Sequence, residues 1–517
     1  MKDKLKRLLE WGPDTRAAAV LSVCALLFLL VPLLKLAFYA IPWYDDYNYG
    51  QFVKDFLDEE RSIRSALAGA FYCTGVQWYA WQGTFSSIFF MSLMPAVWGE
   101  QYYFWGPVFL ILILTFSAWT LTGILVRHVL KGDRAQCIVL QVIATAMIVE
   151  LVYSAQQGFY WYNGGVHYVG MHSFLLLLAA AWVRLITDRG RILSVFLVIW
   201  SLVGAVLAGG ANYVTALQGL LAGVSIAALG ALLRKKRALL LIPSLLLYAF
   251  CFYRSAAAPG NDVRNQVLRN YGGGGMPPVM AIGSSFKEAV LHLGEFTDPA
   301  MLIMLMLAAP FVWNVVKKQP IRFRYPGVLL AWSFCLYAAG FAPTLYAMGH
   351  GGFDRTLNAV KITYQYLVII NFAYWTGWLC RKRQEAEKPR GFGAFRTVLG
   401  KLTGVGQGRI ALRFYLLTGI LLLTAFALEK NQAGSYSSYG AYYYIHTGEA
   451  NEFHREYLAR VETIKNGSGR VAVDTYYFRP WFLRIGDLSE DADSEQNQAM
   501  ARWYNREAVY CRSEDTE

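Results

Sequence analysis

Long apolar runs, interrupted by short polar and basic stretches, set the pattern of this chain. A helix needs about 20 mainly apolar residues to cross a hydrocarbon core. Runs of that kind predict spans near 17–41, 106–127, 137–157, 169–187, 192–210, 213–233, 238–253, 299–317, 327–347, 362–380 and 410–428. The first run is too long for a signal-peptide core and lacks a convincing small-residue cleavage site, so it reads as a retained helix. Residues 84–98 are apolar but short, and counting them as a span would put the basic loop Arg127 to Arg134 outside; they are placed on or partly in the outer leaflet. A long first outer loop, 42–105, then carries two surface helices, around 50–65 and 76–97, rich in the Trp and Tyr of membrane interfaces. A second long outer loop, 254–298, contains Tyr271-Gly272-Gly273-Gly274-Gly275-Met276-Pro277-Pro278, where a helix cannot continue and mobility is expected. Residues 429–517 turn polar, with Tyr439 to Tyr444 and a strand-like Arg470 to Asp474, and read as a small outer domain. The predicted fold is therefore an all-α membrane protein, a bundle of about eleven spans over 1–428 followed by an extracytoplasmic C-terminal domain.

Charge orients this bundle. The 517 residues are 56% hydrophobic and 16% charged, with a formal charge of +13. In a soluble protein that surplus would suggest nucleic acid; here topology accounts for it. Segments predicted cytoplasmic hold twenty-eight Lys and Arg, whereas outer loops before the last span hold nine. The positive-inside rule thus puts the N-terminus in the cytoplasm of a multi-pass cell-membrane protein and Asp45 and Asp46 outside. The seven Cys show no paired spacing, which argues against a disulfide framework and a Zn site. Cys73 and Cys511 both fall outside, though nothing in their spacing favours pairing.

Few ionisable residues lie on the outer face, so each carries weight. Asp45 and Asp46 follow the first span directly, where the negative end of a helix disfavours anions. One could act as general base toward a hydroxyl while the other orients it; a solvated turn after Pro42 is the plain alternative. Arg355, on the Gly351-Gly352-Phe353-Asp354-Arg355 turn after His350, is the best phosphate ligand, since guanidinium binds phosphate bidentately. Arg264 and Asn261, after the Pro259-Gly260 turn, and Arg254 form a second cationic group, with Arg254 equally able to snorkel from the end of its span. Lys35 lies six residues before Ile41, roughly 9 Å along a helix, and either snorkels or reaches a phosphate. Tyr44, Trp81 and Trp161 are aromatic surfaces suited to sugar rings, although the interfacial belt uses the same residues. Asn163 and His167 in an uncharged outer loop, and Asn212 in another, add hydrogen-bonding groups suited to a polyol.

These features together resemble the GT-C class of membrane glycosyltransferases. Trp43-Tyr44-Asp45-Asp46-Tyr47, Tyr79-Ala80-Trp81-Gln82-Gly83-Thr84, Tyr160-Trp161-Tyr162-Asn163-Gly164, Pro259 to Arg264 and Phe353-Asp354-Arg355 are similar to signatures of a bacterial family with that architecture. Asp487-Leu488-Ser489-Glu490-Asp491 and Asn497 to Tyr504 also fit it. The resemblance implies a polyprenyl-phosphate-sugar donor, an outside acceptor (a cell-surface glycan, teichoic acid or lipid), and Asp45 or Asp46 as catalytic base in a single inverting displacement. It departs at Gly83-Thr84, where relatives often have Gly-Arg. No cofactor is expected: the Asp pair could touch a divalent cation, but no His, Cys or Glu set completes a ligand shell. The alternatives are a polysaccharide polymerase or ligase using lipid-linked oligosaccharide, which would tolerate loss of both Asp, a transporter or lipid flippase, and a scaffold. The transporter reading is weakened by the scarcity of mid-span charges.

Overall fold

The computed structural model describes residues 15–188, 190–270, 273–385, 419–420, 424 and 436–512. It is almost entirely helical. The membrane part comprises α1 (Thr15–Leu36), α2 (Asp45–Glu59), α3 (Ile63–Ala80), α4 (Phe85–Ser92), α5 (Trp105–Ile124), α6 (Arg134–Glu150), α7 (Met171–Thr187), α8 (Arg191–Gly209), α9 (Tyr213–Leu232), α10 (Ile242–Ala256), α11 (Gly260–Asn270), α12 (Pro278–Leu291), α13 (Pro299–Lys317), α14 (Pro326–Ala339), α15 (Ala342–Met348) and α16 (Asp354–Glu385). Among the described residues, eight helical stretches are long and apolar enough to cross a membrane. They coincide with eight of the expected spans. Of the other three, 137–157 corresponds to the 17-residue α6, 362–380 lies within the 32-residue α16, and 410–428 falls almost wholly outside the described residues.

The segment expected to form the first outer loop, 42–105, is folded. Beyond α1 the chain passes through one short helical turn and then extends, because the residue before Pro42 is kept out of the helical region. Asp45 and Asp46 follow in the first turn of α2. The expected setting is thereby corrected: the pair opens a helix, where the backbone N–H groups favour negative charge. Ser62 caps α3, its Oγ accepting from Ser65 N at 3.1 Å. The α2–α3 pair packs closely at Gly69, where a Cβ would stand 2.9 Å from Val53 Cα. The helix expected around 76–97 is corrected: α3 ends at Ala80 and α4 begins at Phe85, and α3 itself exposes Ile63, Leu67, Phe71 and Tyr79 along one stripe. Residues 84–98 form α4 and a short turn that pack inward, Ser86 Oγ donating to Leu207 O of α8 at 2.6 Å.

The Gly-rich part of the expected second outer loop, 254–298, is partly docked. Met276 N donates to Leu345 O at 3.0 Å, so the described residues from Gly273 are held against α15; Tyr271 and Gly272 lie outside the described residues.

The C-terminal part contains α17 (Ser437–His446), α18 (Glu449–Asn466), α19 (Glu495–Trp503) and two parallel strands, β1 (Arg470–Val473) and β2 (Ala508–Cys511). Its Phe453, Tyr457, Phe482 and Trp503 join the same apolar core as Leu33, Tyr47, Tyr103 and Tyr160. Polar contacts brace it within and tie it to the helices. Arg460 pairs with Asp487 at 2.7 Å inside it, and Glu150, at the end of α6, accepts from Ser438 N at 3.0 Å and Ser438 Oγ at 2.7 Å, capping α17. Glu150→Ala would leave both donors buried without an acceptor and should cost about 1–3 kcal/mol. Limited proteolysis checks this, with faster cleavage between α17 and α18 expected. Cys73 and Cys511 are separate buried free thiols.

Candidate functional site

The two acids that open α2 have different surroundings. Asp46 is fully buried and accepts three hydrogen bonds, from Trp43 N at 2.9 Å, Tyr103 Oη at 2.8 Å and Asn163 N at 2.9 Å. Its reach back to Trp43 N resembles the return arm of a capping box. Burial nonetheless outweighs these donors and pushes its carboxyl up to about 7. Asp46→Asn would set an amide against at least one of three donors, and should lower stability by about 1–3 kcal/mol. Thermal unfolding in detergent measures that loss.

Asp45 is only partly buried, and its carboxylate accepts no hydrogen bond among the described residues. Its backbone carbonyl is held by Asn163 Nδ2 at 2.7 Å. Desolvation raises the carboxyl to about 6, with Arg355 opposing the rise and Glu495 adding to it. Immediately before it, Tyr44 has φ 22° and ψ −80°, a conformation costly for an aromatic residue, by about 1–3 kcal/mol. Tyr44 Oη donates to Glu495 Oε2 at 2.6 Å.

Arg355 stands in the first turn of α16, its guanidinium 5.4 Å from the Trp161 ring centre and 4.6 Å from that of Phe353. The turn before it requires glycine at Gly352, where φ is 123°, and Gly352 N donates to His350 Nδ1 at 3.2 Å. Among the described residues Arg355 makes neither a salt bridge nor a hydrogen bond. Its donors are thus available to a ligand, and its charge acts on Asp45 through space.

His167 lies within electrostatic reach of both Arg355 and Arg264, and its Nδ1 is 2.8 Å from Ser87 Oγ. Arg264 Nη1 donates to Gln82 Oε1 at 3.0 Å, and Gln82 Nε2 donates to Tyr49 Oη at 3.4 Å. Arg264 also lines a cavity of about 310 Å³ bounded by Tyr213, Pro278, Ile282 and Tyr346. Trp161 is buried, with Nε1 lacking a partner among the described residues, and Asn163 Oδ1 is likewise buried without one among them.

Other expected site residues serve the scaffold or stand apart. Asn261 commits its whole amide: Nδ2 donates to Ser255 O and Ala256 O at 3.0 Å each, and Oδ1 accepts from Tyr213 Oη at 2.8 Å and Gly83 N at 3.3 Å. Gly83 must be glycine here, since a Cβ would come within 2.0 Å of Ser255 O. Asn212 caps α9, accepting from Thr215 N at 2.9 Å and donating to His167 O at 2.6 Å. Arg254 is exposed over Trp78, in a shallow groove with Tyr79 and Phe250. Lys35 is exposed near the end of α1, as a snorkelling lysine would be. Trp81 ends α3 and is half-buried. His350 is exposed, its ring 4.9 Å from Phe353.

Sequence reasoning missed Tyr103 and Glu495. Tyr103 lies in an aromatic stretch indistinguishable from an interfacial belt, and Glu495 lies some 450 positions from the residue it binds. No group of three His, Cys, Asp or Glu side chains suited to a metal ion occurs among the described residues. No family model, no curated protein and no solved structure matches the chain.

Proposed function

We propose that this protein is a GT-C-type glycosyltransferase of the cell membrane that moves a sugar from a polyprenyl-phosphate donor to an extracytoplasmic hydroxyl on a glycan, teichoic acid or lipid. The observation that carries this reading is a carboxylate of raised proton affinity, Asp45, that accepts no hydrogen bond and lies within electrostatic reach of a guanidinium, Arg355, itself without an ionic partner among the described residues. A base near 6 is largely ionised at neutral pH yet still takes up a proton readily. It would deprotonate the acceptor hydroxyl as that oxygen attacks the anomeric carbon. The bond to the phosphate oxygen breaks on the opposite side, and Arg355, with Arg264 behind it, compensates the charge on the departing polyprenyl phosphate. The configuration inverts and no covalent intermediate forms.

Eleven spans, with the N-terminus cytoplasmic and the C-terminus outside, would put this site at the outer leaflet, where a lipid donor keeps its tail in the bilayer. The test is transfer from a panel of polyprenyl-phosphate sugars in membranes carrying wild type, Asp45→Asn, Asp46→Asn or Arg355→Ala. Unchanged transfer in both Asp variants sinks the reading in favour of a polymerase or ligase. Donor-independent uptake of a solute would favour a transporter.

A further inference from the structure

We infer that the C-terminal region completes the active site, with Glu495 acting as a positioning residue that holds Tyr44 and so sets how Asp45 is presented. The inference rests on the proposed role of Asp45 as base. Tyr44 is the N-cap of α2, directly before Asp45, and its φ of 22° persists only where surrounding contacts impose it. The hydrogen bond from Tyr44 Oη to Glu495 Oε2, at 2.6 Å, is the one polar contact of the Tyr44 side chain among the described residues.

Glu495 reaches Tyr44 because α19 lies across α2. Arg502 Nη2 donates to Asn48 Oδ1 at 3.1 Å, the Trp503 ring stands 5.4 Å from that of Tyr47, and Lys54 lies over Trp503 at 5.9 Å. The tail motifs find a use in this arrangement. Asn497 ties the start of α19 to the preceding loop through Ser489 N, Ser489 O and Asp491 O, and Asp487 anchors that loop to Arg460 and Tyr476 N. Nearby, Gln156 Nε2 holds the carbonyls of Trp481 and Arg484 at 2.5 and 2.6 Å, joining the same loop to the segment that carries Trp161.

Among the described residues, the charges acting on Asp45 are Arg355 from α16 and Glu495 from α19, while Asp46, Tyr44 and Tyr49 from α2 and its cap lie within the field of Asp45 itself. Only Arg355 is cationic. Glu495 adds a negative charge that strengthens proton binding at Asp45, so removing it should make Asp45 more acidic.

Carbodiimide labelling of purified full-length protein, read peptide by peptide by mass spectrometry across pH 4–8, follows the proton on Asp45 without any substrate. Glu495→Gln should move the Asp45 midpoint down by about half a unit or more, and Glu495→Asp should restore most of it. Tyr44→Phe, which keeps the charge but removes the tether, should leave the midpoint nearer wild type and lower kcat more than it raises KM. An unchanged midpoint in Glu495→Gln, with the unfolding temperature kept, overturns the inference even if Asp45→Asn is inactive. Full transfer by Asp45→Asn instead defeats the base assignment, whatever the midpoints show.

Discussion

Asp45→Asn is expected to lower sugar transfer by about 10²–10⁴-fold, the usual contribution of a general base, while the protein stays folded. The two parts of that expectation have separate origins. The Asp45 carboxylate accepts no hydrogen bond among the described residues, so an amide in its place breaks no internal bond. Its proton affinity is raised from 3.8 to about 6, chiefly by burial. A raised acid favours the folded state fully below its unfolded value, and that contribution is lost as pH climbs through the folded value. At pH 8 the ionised carboxylate therefore opposes folding, and Asp45→Asn should raise stability by on the order of 2 kcal/mol. In wild type, transfer should fall on the acid side with a midpoint near 6. Thermal unfolding at pH 8 beside the pH–rate profile checks both. A variant that is inactive and also destabilised would mean that Asp45 serves the scaffold.

The second large effect is expected at Arg355. Arg355→Ala should reduce kcat by about 10²–10³-fold, the range seen when one donor to developing charge is removed. Arg355→Lys should recover only part of this, because an ammonium supplies one point charge in place of a planar fork and cannot stack as guanidinium does on Trp161 and Phe353. Kinetics with a soluble short-chain polyprenyl-phosphate sugar separate binding from chemistry. A rise in KM alone would restrict Arg355 to holding the donor.

The spans were legible because apolar runs are long-range averages that survive local irregularity. Eight spans follow from them directly. The irregular places were harder. Ile41-Pro42 ends one helix, but nothing local announces that Asp45 starts another, so the pattern alone puts the pair at a helix exit although it occupies an N-terminal turn. The site residues were legible as types. Asn163 and Asn212 lie in uncharged turns and Asn261 beside Arg264, and in each place a polar amide is also what buried backbone groups require of their partners. Only the geometry separates the two uses: Asn261 and Asn212 hold backbone, whereas Arg355 leaves its donors open. Glu495 was illegible because its meaning depends on a contact across most of the chain.

That span has a consequence for how the molecule is made. Tyr44 and Glu495 are 451 positions apart, and Asp46 meets Asn163 across 117. At a synthesis rate of about 5–20 residues per second, some tens of seconds separate the emergence of the acids from that of α19. During that interval the nascent chain holds the acidic pair and its apolar helices but lacks Glu495, so under the proposed function a half-made polypeptide in the bilayer would stay idle until its last elements arrive.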